Sequence, residues 1–264
     1  METAPEKTAE DLKKAYNLLW LRLKFPTDKK NTKEPPQTIP NLTMENMVGI
    51  AKRNPQVDVR LWIDSQRMTD AQIWWLEDET RIPSSRNLSL CDLRTIFEYN
   101  EYPLYNLADN SSNWRVDKHS LIWRQVDAAK ILTCLQGDYE QIFYSDLDIT
   151  NLVVNSKEVQ NPLKKHGIVL SGWVDEKGGP TYYENQLFGF DDRKREFFKL
   201  LYYKTLKDVV TRLENGYLSY LALINNELKL KLGIDTREIV FEPKYNGICA
   251  YHPEQNYQFF SKHL

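Results

Sequence analysis

Long apolar runs are missing from this 264-residue chain: nowhere do eighteen apolar residues follow one another, so no segment reads as a membrane span. The opening residues, Met1-Glu2-Thr3-Ala4-Pro5-Glu6-Lys7, have no basic stretch leading into an apolar one, which argues against a Sec-type signal peptide. An excess of either charge is lacking too. With 35 Lys and Arg against 37 Asp and Glu, the formal net charge of -2 creates no field that would draw the chain to nucleic acid. The three cysteines, Cys91, Cys134 and Cys249, are odd in number, widely spaced and flanked by Leu90, Leu135 and Ile248. They read as reduced core thiols rather than a disulfide frame. The four histidines never approach the paired spacing of a zinc site. What remains is a soluble protein without zinc.

A 41% hydrophobic and 27% charged composition is that of an ordinary globular chain, and the length suits one large α/β domain. Aromatics are plentiful, with 7 Trp and 15 Tyr; most fill a core, but flat rings also serve as platforms for bases and sugars. After a polar segment over residues 1–15, the run from Tyr16 to Leu23 reads as a buried strand, and the loop Pro26 to Pro40 follows. Met44, Met47, Val48 and Ala51 recur at helical spacing, with Thr43 placed as cap and Asn54-Pro55 as stop. Val57 to Asp64 alternates as a strand ending in an acid, and Thr69 to Gln72 has the spacing of a capping box opening a helix through Ile73, Trp74 and Leu76. A short strand over 87–90 and a helix over 117–135 come next.

This alternation of strand and helix is the signature of a parallel sheet covered by helices, whose ligands bind beyond the carboxyl ends of the strands. The apolar strand Gln141-Ile142-Phe143-Tyr144 ends on Asp146-Leu147-Asp148. Two carboxylates at the lip of a sheet suit a hard divalent cation shared with phosphate oxygens, and residues two apart in a strand face the same side. On the preceding helix, Asp127 and Lys130 share a stripe with Trp123 and Cys134; by itself that is a solvated ion pair worth a few tenths of a kcal/mol. A strand over 166–173, a turn at Gly178-Gly179-Pro180, and the polar triplet Glu184-Asn185-Gln186 follow. Such triplets ordinarily begin helices, although here the acid can also orient an acceptor or act as a base. Residues 192–232 read as two helices broken near Asn215-Gly216, and Arg237 to Phe241 as a last strand before an aromatic tail.

Residues 16–190 resemble the GT-A fold glycosyltransferases found among bacterial toxins and effectors, including the large clostridial glucosylating toxins and, more distantly, arginine-modifying effectors. Asn17-Leu18-Leu19-Trp20-Leu21 is similar to that family's first strand, whose Trp stacks on the donor base. The stretch from Asn54 to Gln66 is similar to its second strand, with Gln66 at the nucleotide. Asp127 and Lys130 match an Asp and Arg that face the donor, Lys being a departure because it cannot make the planar two-pronged contact of Arg. Tyr144, Asp146 and Asp148 match the Tyr and the two metal-linked Asp residues.

The resemblance implies an α/β, GT-A-like (Rossmann-like) mixed sheet flanked by helices, with a helical and aromatic C-terminal extension over 191–264 completing the domain. It implies a UDP-sugar donor, manganese or magnesium at Asp146 and Asp148, and a protein or glycan acceptor. Trp20, Gln66, Asp127, Lys130, Tyr144 and Asp146 would bind the donor; Asp127, Lys130 and Glu184 would carry the chemistry. It also implies residence in a bacterial cytoplasm, or delivery to a host cell if the chain is an effector. The usual Gly-Gly before the metal strand is Gly137-Asp138 here, and the closing Trp has no counterpart; Tyr251, Phe259 or Phe260 would serve as lid, and Asn246 or His252 as a further metal ligand.

Two alternatives stand beside this reading. Asp146-Leu147-Asp148-Ile149-Thr150 also fits the Asp-X-Asp-X-Thr nucleophile motif of haloacid dehalogenase-like phosphatases, with Ser171 and Asp191-Asp192 as later motifs. A catalytically silent relative that binds a partner through residues 192–232 is the other.

Overall fold

The computed structural model describes residues 12–22, 26–81, 86–101, 126–149, 152–174, 181–211 and 225–241. Their core is a seven-stranded sheet in the order β3-β2-β1-β4-β6-β5-β7. Strands β1 (Lys14–Trp20), β2 (Asp58–Ile63), β3 (Leu88–Asp92) and β4 (Gln141–Ser145) run parallel. β6 (Thr181–Asp191) runs antiparallel between β4 and β5 (Ile168–Val174), and the short β7 (Val240–Phe241) closes the edge parallel to β5. The sheet is therefore mixed, as the resemblance implies.

Alternation along the strands divides the interior. Tyr16, Leu18, Val59, Leu61 and Phe143 face one layer, which holds α1 (Asn41–Arg53), α2 (Asp70–Thr80) and α5 (Lys157–His166). Leu19, Trp62, Ile142 and Tyr144 face the other, with the short α3 (Phe97–Glu101), the helical residues 126–134 (α4) and α6 (Arg195–Thr211). A sheet apolar on both faces must be covered on both, which gives three layers. Phe188, Phe190 and Phe198 stack between β6 and α6, with ring centroids 5.2 and 4.0 Å apart.

The capping box forms as expected: Thr69 Oγ1 accepts from the Gln72 amide at 3.3 Å while Gln72 Oε1 accepts from the Thr69 amide at 3.0 Å. Four expectations need correction. Thr43 is buried inside α1 and caps nothing; the Pro40 carbonyl accepts from the Thr43 and Met44 amides at 2.9 and 3.0 Å, because its extended backbone already turns the chain into the helix. Trp74 points outward, 67% exposed, while the polar Gln72 takes an inner position. Glu184-Asn185-Gln186 lies within β6 and begins no helix, because β4 and β5 offer backbone partners on either side. Residues 236–239 form a 3-10 turn, leaving only Val240–Phe241 as strand. The Gly178 to Pro180 turn, the break near Asn215, residues 117–125 and the tail from 242 lie outside the described residues.

Strand order reverses at β1: the chain moves outward to β2 and β3, then returns to place β4 on the other side. The carboxyl ends of β1 and β4 thus flank the crevice where α/β sheets bind ligands.

Candidate functional site

Trp20 ends β1 and Ser145 ends β4, so both open onto that crevice. Asp146 follows directly, its amide donating to the Gln186 carbonyl of β6 at 2.7 Å. The acids are not on one strand face, as the sequence suggests. They sit in a turn closed by the Ile149 amide donating to the Asp146 carbonyl at 3.2 Å, since the β4–β6 ladder stops at Ser145. The Asp146 side chain is 30% exposed, whereas Asp148 is buried.

Lys130 reaches across from α4. Its ammonium lies 2.9 Å from Asp146 Oδ1, 3.2 Å from Oδ2 and 3.9 Å from Asp127 Oδ1. The expectation of a solvated pair on a helix surface is overturned: Lys130 is buried, because Ala128, Ala129, Ile131 and Leu132 around it are packed into the core. Burial favours the neutral amine, but the charges of Asp146 and then Asp127 outweigh it and hold the Lys130 pKa above its ordinary value. Tyr144 donates its hydroxyl to Asp146 Oδ1 at 2.9 Å and lies under the ammonium, 5.5 Å from ring centroid to nitrogen. Burial first, and the Asp146 charge second, push the Tyr144 phenol far up, so it acts only as a donor.

Asp127 and Asp146 thus share one ammonium, with Asp148 acting on it electrostatically from the same turn, so carboxylates outnumber cations here and leave an excess of negative charge. That charge and an all-oxygen donor set fit a hard divalent cation. Among the described residues no three His, Cys, Asp or Glu side chains converge to hold a metal unaided. The fit is to a cation that takes its remaining ligands from phosphate and water.

A second charged cluster lies at the carboxyl end of β2, where sequence reasoning saw only a strand ending in an acid. Asp64 is fully buried. It receives Arg94 Nε and Nη2 at 2.7 and 2.8 Å, Arg67 Nε at 3.1 Å, the Tyr99 hydroxyl at 2.9 Å and the Gln66 amide at 3.0 Å. Burial pushes the carboxyl up, but the hydrogen bond and charge of Arg94, then Tyr99 and Arg67, more than reverse this and hold it below the usual carboxylate range. The cluster fixes the 3-10 turn Ser65–Arg67, on which Gln66 is exposed. The i, i+3 spacing of Asp64 and Arg67 is the one local signal of this cluster; Arg94 and Tyr99 lie 30 and 35 residues on from Asp64 and carry none.

Asn17, buried in β1, receives the Trp62 indole N–H at 3.0 Å and donates to the Phe143 carbonyl at 3.0 Å, tying β2, β1 and β4 together beneath the crevice. Trp20 is partly buried against the α1 and α2 layer, and its indole nitrogen makes no hydrogen bond. Cys134 is a core thiol pushed up to about 12 by burial, and so inert. The backbone of Glu184 lies in β6; Asn246, Tyr251, His252, Phe259 and Phe260 lie outside the described residues. Ser171 sits at a bulge between β5 and β6, accepting from the Leu187 amide at 3.2 Å. No helix among the described residues is long and apolar enough to cross a membrane.

No protein-family model matches the chain, and no curated protein matches it by sequence. Solved structures do match. One named PaToxG glycosyltransferase superposes with a TM-score of 0.52 at 13% identity, over 94% of this chain and 75% of that one. Another, called only a transferase mutant with two Cys-to-Ser changes, gives 0.53 at 12% identity, covering 88% and 92%; its counterpart without those changes gives 0.52 at 10%. At these identities the likeness speaks for fold: the chain has a glycosyltransferase-like, GT-A-type α/β architecture.

Proposed function

We propose that the chain is a glycosyltransferase that takes a nucleotide-sugar donor, UDP-sugar foremost, and passes the sugar to a protein or glycan acceptor. The observation that carries this reading is the Lys130, Asp127, Asp146 and Asp148 cluster at the switch point of a glycosyltransferase-like sheet. Trp20 offers an aromatic face to the base and Gln66 a polar contact to the nucleotide. Asp148, assisted by Asp146, would hold a manganese or magnesium ion against the diphosphate, supplying Lewis-acid charge to the leaving group.

Asp146 has its Oδ1 taken by both Lys130 and Tyr144, so it is fixed in place and suits a water or a ribose hydroxyl better than a direct metal bond. The Lys130 ammonium contributes a fixed positive charge that needs no reorganisation as the diphosphate departs. Asp127, 26% exposed, is placed to accept from a sugar hydroxyl, and Glu184 is the candidate to orient or deprotonate the acceptor. The phosphatase reading asks Asp146 to attack phosphorus, a role for which a carboxylate held by a lysine and a tyrosine is poorly disposed.

The test is incubation with a panel of nucleotide sugars plus manganese, following released nucleotide, beside a generic phosphate ester, following phosphate. Nucleotide release lost at least 100-fold in Asp148→Ala supports the proposal. Phosphate release would favour the phosphatase, and neither product a silent binding protein.

A further inference from the structure

The acidic turn is closed by the Ile149 amide donating to the Asp146 carbonyl, and the carbonyls of Leu147 and Ile149 need donors of their own. Asn46, in the middle of α1 and buried, supplies them. Its side-chain Nδ2 donates to the Leu147 carbonyl at 2.5 Å and to the Ile149 carbonyl at 3.1 Å, one amide hydrogen for each. These are the carbonyls of the residues on either side of Asp148. A single amide group, about one hundred residues away in sequence, thereby holds the peptide unit that enters Asp148 and the one that leaves Ile149.

Two turns on, at the C-cap of α1, Asn54 repeats the device on residues 152–154. Its Nδ2 donates to the Leu152 carbonyl at 3.1 Å and its Oδ1 accepts from the Val154 amide at 2.9 Å. Asn54 thus anchors residues 152–154, away from the acids. Helix α1 and its C-cap thus hold residues 147–149 at one point and 152–154 at another, and the Asn46 point is the one that bears on the site.

We infer that Asn46 is a positioning residue for Asp148: through the Leu147 and Ile149 carbonyls it sets the direction in which the acidic turn presents its carboxylates to the metal-diphosphate of the donor. The inference rests on the proposed donor site for its functional consequence, but its structural content stands apart from it. Asn54 provides the internal control, since it makes buried amide hydrogen bonds of the same kind, from the C-cap of the same helix, to residues 152–154.

The experiment compares Asn46→Ala, Asn46→Asp and Asn54→Ala with the parent chain. Asn46→Asp keeps the side-chain shape but replaces both N–H donors with an acceptor facing two carbonyls. Thermal midpoints come first, and binding is then measured below the lowest midpoint. Amide hydrogen exchange over residues 146–149 is followed in the free protein, and UDP affinity is measured with manganese present. Both Asn46 variants are expected to accelerate exchange at Ile149 and weaken UDP binding at least tenfold, about 1.4 kcal/mol, whereas Asn54→Ala lowers the midpoint with less than a twofold change in affinity. Equal affinity losses in the Asn46→Ala and Asn54→Ala proteins would reduce Asn46 to ordinary stabilisation, and unchanged exchange at 146–149 would overturn the inference outright. If the parent chain binds no nucleotide with any divalent cation, the donor-site proposal fails while the exchange comparison still decides the role of Asn46.

Discussion

Asp64→Asn is a change of one atom that inverts the balance of a buried charge cluster. In the native protein one carboxylate, fully buried, serves two guanidinium groups whose own side chains are 2% and 12% exposed. Asparagine keeps the volume but cancels the negative charge and turns an amide nitrogen toward Arg94, Arg67 or Tyr99. Breaking a buried pair by removing one partner costs about 3–5 kcal/mol, far more than the net worth of the pair, because the remaining charge stays desolvated. For a chain of this size each kcal/mol lowers the midpoint by roughly 2–4 °C, so thermal unfolding followed by circular dichroism at pH 7 is expected to drop by roughly 6–20 °C. The pH dependence supplies a sharper check. Asp64 is held below the ordinary carboxylate range, so its contribution is complete above the unfolded value of about 3.9 and is lost as pH falls through the lower folded value. The gap between parent and variant should be constant from pH 8 to pH 5 and close below about pH 4, where a protonated Asp64 resembles Asn. A midpoint within about 2 °C of the parent at pH 7, or a gap that does not narrow in acid, would mean that the Asp64 carboxylate is not what neutralises Arg67 and Arg94. Because the Gln66 amide also rests on Asp64, nucleotide affinity should weaken with the fold.

Lys130→Met should lower donor turnover at least tenfold and cost about 1–3 kcal/mol in urea unfolding, because it leaves Asp146 and Asp127 facing each other without their cation. In the parent chain the raised Lys130 pKa keeps the ammonium through neutral pH. Its stabilisation is present below the unfolded value of about 10.4 and fades only as pH rises through the higher folded one, so a loss of stability between pH 6 and 9 assigned to Lys130 would contradict the geometry. Gly189→Ala places a Cβ 2.6 Å from Phe143 Cδ1 in the middle of the β4–β6 pair and is expected to destabilise by about 1–3 kcal/mol, read as a lower urea midpoint with an unchanged slope.

Much of the fold was legible because it is written in local rules. Alternation in Val57 to Asp64 and an apolar run ending on acids at Asp146 marked β2 and β4, and the Thr69–Gln72 box marked the start of α2, each to within a residue or two. Where local rules compete, the reading failed. Thr43 carries a capping hydroxyl and Pro40 none, but the backbone of Pro40 already turned the chain; the polar triplet at Glu184 was drawn into a strand by partners on both sides. Within the site, the identity of the acids was visible and their partners were not.

Sequence alone was enough to locate β2 and β4, the capping box of α2 and two acids at the lip of a sheet, because backbone geometry repeats over a few residues and side-chain type reports it. The tertiary structure alone decided that Lys130 leaves its own helix face for Asp146, that Arg94 and Tyr99 converge on Asp64, and that Asn46 reaches the carbonyls beside Asp148. Those pairings depend on how whole elements dock. A buried charge or carbonyl takes whichever donor the packing brings within about 3 Å, and no local pattern encodes that distance.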